Sequence, residues 1–322
     1  MQKKKKYTRT ILNILRVVIP IIMIGWIIST VNWVLILPLI QRIPWWMLVA
    51  SLMTFALSQV IIAIRWHYLL HVLDVNSSFL NLLDLVFIGS FASNFLPTTI
   101  GGDAVKMAGV SRRQPKRAIA VASVVADRIF NLVSMIFILP ITLALPNIQN
   151  HLFREGKQLT LMSAFFITRR NKTKKRIQQI WNPISLWFTS GKTVLISLML
   201  SWMSIALAFA SFWIIVYAVG IRVSFLQTSA VAELSYFAAL LPLAINGLGI
   251  LESSEIYLLT IQGATLEQAV AAAFLMRLVT VFISLIGGFR LILGWEDLLS
   301  ASKKEMLDCA ASAQNGKMAS ML

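Results

Sequence analysis

Residues 118–145 read AIAVASVVADRIFNLVSMIFILPITLAL, and residues 266–293 read LEQAVAAAFLMRLVTVFISLIGGFRLIL. Each run is long and apolar enough to cross a hydrocarbon core of about 30 Å as a helix. Yet each carries an arginine well inside it, Arg128 ten residues into the first and Arg277 eleven into the second. At that depth a guanidinium cannot reach the surface easily, and facing lipid it would cost about 2.5–3.5 kcal/mol. Both must therefore face an interior, and the fold is read as all-α: a polytopic integral membrane helical bundle with a polar inside.

What precedes each arginine follows a common pattern. Pro97-Thr98-Thr99-Ile100-Gly101-Gly102-Asp103 leads to Arg128, and Pro242-Leu243-Ala244-Ile245-Asn246-Gly247-Leu248-Gly249-Ile250-Leu251-Glu252 leads to Arg277. The acid precedes the arginine by 25 residues in both. The same offset of 149 residues that carries Asp103 onto Glu252 carries Ala120-Val121-Ala122 onto Ala269-Val270-Ala271. One register for acid, triplet and arginine predicts two structurally related repeats, a common way to build a transporter around a midplane site. Proline and glycine break a helix and free backbone polar groups, which at membrane depth are tolerated only against protein or a water-filled cavity. A helix starting after Gly247 or Gly249 is expected to aim its positive end at that cavity and favour an anion such as a lipid phosphate.

Asp103, Asp127 and Glu252 join the two arginines as five intramembrane charges, roughly 12–17 kcal/mol if all faced lipid. They are expected to be paired or hydrated. Asp127, Asn131 and Ser134 make one polar stripe, and Arg277, Thr280 and Ser284 another, each on an otherwise apolar cylinder. A pair of Asp/Glu–Arg bridges that simply lock helices together is the structural alternative to a substrate site. Ala118, Ala122 and Ala126, with Ala269 and Ala273, give small-residue spacing for close helix packing.

Composition agrees with lipid as the solvent. Hydrophobic residues make up 58% of the 322, charged ones 13%, and the mean hydropathy is +0.78. Further spans are expected at about 11–31, 45–66, 79–96, 193–220, 227–245 and 248–262, for seven or eight segments in all. The two short segments near 227–262 are read as a broken or re-entrant pair. Trp33, Trp45, Trp46, Trp66 and Tyr68 flank the first hairpin as interfacial anchors. Asp84 and Glu233 interrupt apolar segments, as cavity-lining groups or as helix ends. The membrane domain is taken as 1–295, and the polar 296–322 tail is expected to be disordered.

The formal charge of +16 sits in clusters outside the apolar runs, which suits cytoplasmic loops and anionic membrane lipids rather than nucleic acid. Lys3 to Lys6 and Arg9 precede the first span without a small-residue cleavage site, so the N-terminus is expected to stay attached and cytoplasmic. Residues 147–192, with Arg169, Arg170, Lys172, Lys174, Lys175 and Arg176, read as a basic cytoplasmic loop. The 97–117 loop, with Lys106, Arg112, Arg113, Lys116 and Arg117, asks for the same side and conflicts with a simple count of crossings.

Catalytic signals are weak. The one cysteine, Cys309, allows neither an internal disulfide nor a thiolate metal site. His67 and His71 have ligand spacing but no third partner beyond Asp74, so no metal and no cofactor are expected. None of the nucleophile, zinc, phosphate-loop or dinucleotide motifs occurs in a supporting context.

The motifs together do resemble a family. Arg65-Trp66 closing a span, Asn94-Phe95-Leu96-Pro97 running into Gly101-Gly102-Asp103, Asp127-Arg128, Gly247-Leu248-Gly249-Ile250-Leu251-Glu252, and Arg277 ahead of Gly287-Gly288 resemble the lysylphosphatidylglycerol synthase transmembrane-region family. This is the flippase-like membrane domain also present in the multiple peptide resistance factor, and the likeness spans roughly residues 11–293. It implies movement of a phospholipid or lipid-linked substrate between leaflets of the cell membrane, in the plasma or bacterial inner membrane. Only a short tail follows residue 293, so lysyl transfer is not expected of this chain, and a separate transferase protein is an expected partner. The second motif lacks an extra proline of the family pattern. Arg128 and Arg277 are expected to hold a lipid phosphate, with Asp103, Asp127 and Glu252 as counter-charges and Gly101, Gly102, Gly247 and Gly249 shaping the site. The alternative is a membrane-embedded aminoacyl- or glycosyltransferase with Glu252 as general base, or its membrane partner subunit.

Overall fold

The computed structural model describes residues 33–73, 75, 77–95, 101–111, 117–143, 187, 190–240 and 249–293. The expected span at 11–31, most of the basic 147–192 segment, the tail and Gly247 lie outside them. Among the described residues every regular element is a helix: α1 (Trp33–Gln41), α2 (Trp45–His71), α3 (Phe79–Phe95), α4 (Gly101–Ser111), α5 (Arg117–Leu143), α6 (Gly191–Ala218), α7 (Phe225–Ala239), α8 (Ile250–Ile261) and α9 (Leu266–Leu293). Four stretches, Trp45–His71, Ala118–Leu143, Gly191–Ala218 and Leu266–Ile292, are long and apolar enough to cross a membrane. The protein is a multi-pass helical membrane bundle.

The radial distribution of side chains is that of a protein dissolved in lipid. Met53, Phe137, Phe282, Phe289 and Ile292 are more than 60% exposed, whereas Ser51, Ser58, Ser197, Ser201, Ser204 and Ser211 are buried. Small hydroxyl residues let helix backbones approach closely and bond across the contact. Ser51 and Ser211 do so, their hydroxyl oxygens 2.8 Å apart, at the seam between α2 and α6.

Two helices were not anticipated. The first, α1, fills the turn expected between the first two spans. The second, α4, replaces most of the 97–117 loop, and Lys106, read as a loop charge, lies inside the bundle. The glycines at 101 and 102 look like breakers but are the first turn of a helix. They are tolerated because α4 lies directly against α3: a Cβ on Gly102 would sit 2.3 Å from the Gly89 carbonyl oxygen. Gly102 faces Gly89 and Ser93 while Gly109 faces Leu85, so α3 and α4 form an antiparallel hairpin. At 11 and 12 residues, α4 and α8 are about 16 and 18 Å long, too short for a crossing.

The offset of 149 residues holds in three dimensions. Shifting the bounds of α4, 101–111, gives 250–260 against the observed Ile250–Ile261; shifting those of α5 gives 266–292 against Leu266–Leu293; shifting those of α2 gives 194–220 against Gly191–Ala218. Equivalent helices α2 and α6 pack antiparallel, since Ser51 meets Ser211 and Arg65 meets Ser201. Two halves whose matching helices run in opposite directions are related by an axis across the bundle, so the repeats are inverted. The packing obeys the same relation: α9 lies on α3 as α5 lies on α7.

Candidate functional site

The short helices α4 and α8 each present an acid in their first turn, Asp103 and Glu252. Facing them are the arginines of the long helices α5 and α9. Arg128 donates from Nη2 to Asp103 Oδ1 at 3.0 Å, and Arg277 Nη1 lies 3.5 Å from Glu252 Oε1. The two acid–arginine spacings in the sequence are therefore two ion pairs. Glu252 also accepts the Gly249 backbone N–H at 2.7 Å, capping α8 from within. Gly249 has φ of 80°, a left-handed conformation that glycine adopts without strain. The positive end of α8 thus already meets its own carboxylate, and an incoming anion would have to compete with it.

A third pair differs in kind. Asp127 Oδ1 accepts from Arg65 Nε at 3.0 Å and Nη2 at 2.7 Å, and Arg65 Nη1 also bonds Ser201. The Arg65 side chain is 2% exposed, whereas that of Arg128 is 48% exposed towards the cavity. The first is a structural clamp between α2, α5 and α6. The second is open to solvent, where an ion pair contributes only about 0–1 kcal/mol and exchanges partners readily.

These groups line a single cavity of about 580 Å³, within the range of small-ligand sites. Of the expected site residues, Arg128, Arg277, Asp103, Asp127, Glu252 and Gly102 border it. Gly101 is buried beside Gly102 without lining the wall, and Gly249 serves as the cap. Of the two polar stripes, Asp127, Asn131, Arg277 and Thr280 reach the cavity. Ser134 and Ser284 instead donate to Phe130 O and Val281 O of their own helices. Asp84 and Glu233, themselves 149 residues apart, do not line it: Asp84 pairs with Arg290 at 3.2 Å, and Glu233 accepts from Thr142. They fasten α3 and α7 to the long helix of the opposite repeat. His67 packs edge-on against Phe79, ring centroids 6.2 Å apart.

Three charged residues of the cavity were missed. Arg65 looked like the end of a span at 66, but α2 continues to His71 and encloses it. Lys106 and Glu255 were passed over although each follows its acid by three residues, one helical turn. Shifting Lys106 by the repeat offset lands on Glu255, so the signal was present in the register already found. Lys106 Nζ lies 5.6 Å from the Trp66 ring centroid.

Comparison with known proteins is consistent with this architecture. Residues 13–288 match the family model described as the lysylphosphatidylglycerol synthase TM region. The chain is also similar to the UPF0104 membrane protein PH1989 of Pyrococcus horikoshii, at 23% identity over 295 residues that cover 78% of this chain and 88% of the relative.

Proposed function

The chain belongs to the lysylphosphatidylglycerol synthase TM region family, and on that premise we propose that it is a flippase for a phospholipid or lipid-linked substrate. The observation that carries this reading is that Arg128 and Arg277, equivalent in the two inverted repeats, border the same cavity. A phosphodiester oxygen is as good an acceptor for a guanidinium as a carboxylate is, and can take a bidentate bond. The headgroup enters between the arginines, displaces Asp103 or Glu252 from its partner, and leaves as the pair re-forms. Exchange of one ion pair for another keeps the arginine compensated throughout, which matters where an uncompensated charge is costly. Inverted repeats add two equivalent arrangements, one open to each leaflet.

The protein acts in the cell membrane with a cytoplasmic N-terminus, a reading supported by the lysines at 3–6 ahead of the first apolar run.

The test is reconstitution in sealed vesicles with a headgroup-labelled phospholipid followed leaflet by leaflet. The native protein should equilibrate the label and return the lipid chemically unchanged. Arg128→Ala and Arg277→Ala should each slow exchange by at least tenfold while inserting normally. Native rates in both variants would remove the assignment.

A further inference from the structure

Among the described residues, four basic and four acidic side chains border the cavity. Three pairs account for six of them: Arg65 with Asp127, Arg128 with Asp103, Arg277 with Glu252. The two left over are Lys106 and Glu255, which occupy the same position in the two repeats with opposite charge. Neither has an ion-pair partner within 4.0 Å among the described residues. Glu255 is 6% exposed, its side chain is turned to the cavity, and Glu252, one turn earlier on α8, already holds the nearest cation, Arg277.

We propose that Glu255 is the proton-binding site of the cavity, and that it binds a proton together with the phosphate of the substrate. The charge count motivates the pairing. A proton on Glu255 makes the charge of the cavity more positive by one unit, the change that offsets one phosphodiester. A proton moves from solvent to a Glu255 carboxylate oxygen, and no other bond changes. A buried carboxylate without an ion pair of its own is unfavourable, whereas the neutral acid is not. By linkage, the proton raises affinity for the anionic ligand by the same factor as the ligand raises affinity for the proton. The coupling rests on the translocation reading above; the proton site itself does not.

Among the described residues, the titratable and charged groups that face Glu255 are few. Glu252 shares its helix, and α9 contributes Arg277. From α7, Tyr236 borders the same cavity while Glu233 is turned to Thr142. Across the cavity stand Lys106 and the paired Asp103–Arg128 and Arg65–Asp127. Every basic group among these except Lys106 is already engaged, which leaves Glu255 as the carboxylate on the cavity wall, among the described residues, without an ion pair.

Two measurements on the full chain in detergent or nanodiscs test the proposal. In infrared spectra, the native protein should show a protonated-carboxyl band that disappears as pH rises and that is missing from Glu255→Gln and from Glu255→Met, a second variant of similar length. Persistence of the whole band in both variants overturns the site. In binding titrations with short-chain phosphatidylglycerol, the native affinity should weaken by about tenfold per pH unit on the alkaline side, with uptake of up to about one proton from weak buffer. Glu255→Gln should give a flat profile with no uptake. Inorganic phosphate run in parallel separates recognition of the lipid from recognition of the bare anion. A native profile that is flat, or a slope retained in Glu255→Gln, overturns the coupling. Absence of any lipid binding alongside an intact infrared difference contradicts the translocation reading and the coupling but leaves the proton site standing.

Discussion

Two arginine–carboxylate contacts of similar length carry opposite expectations. Arg65 is enclosed by Asp127 and Ser201 with almost no exposure, so its truncation leaves an uncompensated buried carboxylate. Removing one partner of such a pair costs about 3–5 kcal/mol. Arg65→Ala should therefore lower the unfolding midpoint sharply in detergent, whereas Arg128→Ala, at a half-exposed pair, should shift stability by no more than about 1 kcal/mol. The second repeat shows how to test the cause: the positions equivalent to Arg65 and Asp127 are Ile214 and Met276. The double change Arg65→Ile with Asp127→Met should recover most of the stability lost in Arg65→Ala, because the apolar groups found at the equivalent positions of the second repeat replace both charges. Recovery can be read by thermal unfolding of purified protein. Failure of the double variant to improve on the single one would mean that the pair is needed for more than charge compensation.

At the scale of helices, the hairpin of α3 and α4 is set by contact distances that only glycine allows. A Cβ on Gly102 would meet Gly89 backbone at 2.3 Å and Ser93 Oγ at 2.1 Å. Gly102→Ala must therefore push α4 away from α3, with a loss of about 1–3 kcal/mol and a displaced Asp103. Gly191→Ala, with nothing within 4 Å, is the matched control and should leave the midpoint nearly unchanged. The comparison also explains what could be read from the chain. Long apolar runs and the acid-to-arginine register survive as sequence signals because the solvent and the repeat both act on every copy. The helix at 101–111 did not, because its opening glycines and its lysine look like a loop unless the neighbouring helix is known. Arg65 was placed at a span end for a related reason: next to Trp66 it resembles an interfacial residue, and only the continuation of α2 to His71 puts it inside. Sequence periodicity assigns a charge to a face of its own helix, but it does not say whether that face meets water, lipid or another charge.

Seen whole, the molecule is two inverted halves whose matching short helices bring matching ion pairs to one cavity. Symmetry accounts for the two arginines and the two acids, and its breach at Lys106 and Glu255 leaves a carboxylate without an ion pair, where a proton can bind together with the substrate. Translocation by this route requires a phosphate lying between the two guanidinium groups. The direct measurement is a solid-state phosphorus–nitrogen distance in bilayers, with guanidinium-labelled arginine in the protein and phospholipid as the only phosphorus. The native protein should give a coupling that corresponds to about 4 Å, and the Arg128→Ala, Arg277→Ala double variant should lose it. No coupling in the native protein, or the same coupling in the double variant, would contradict the account.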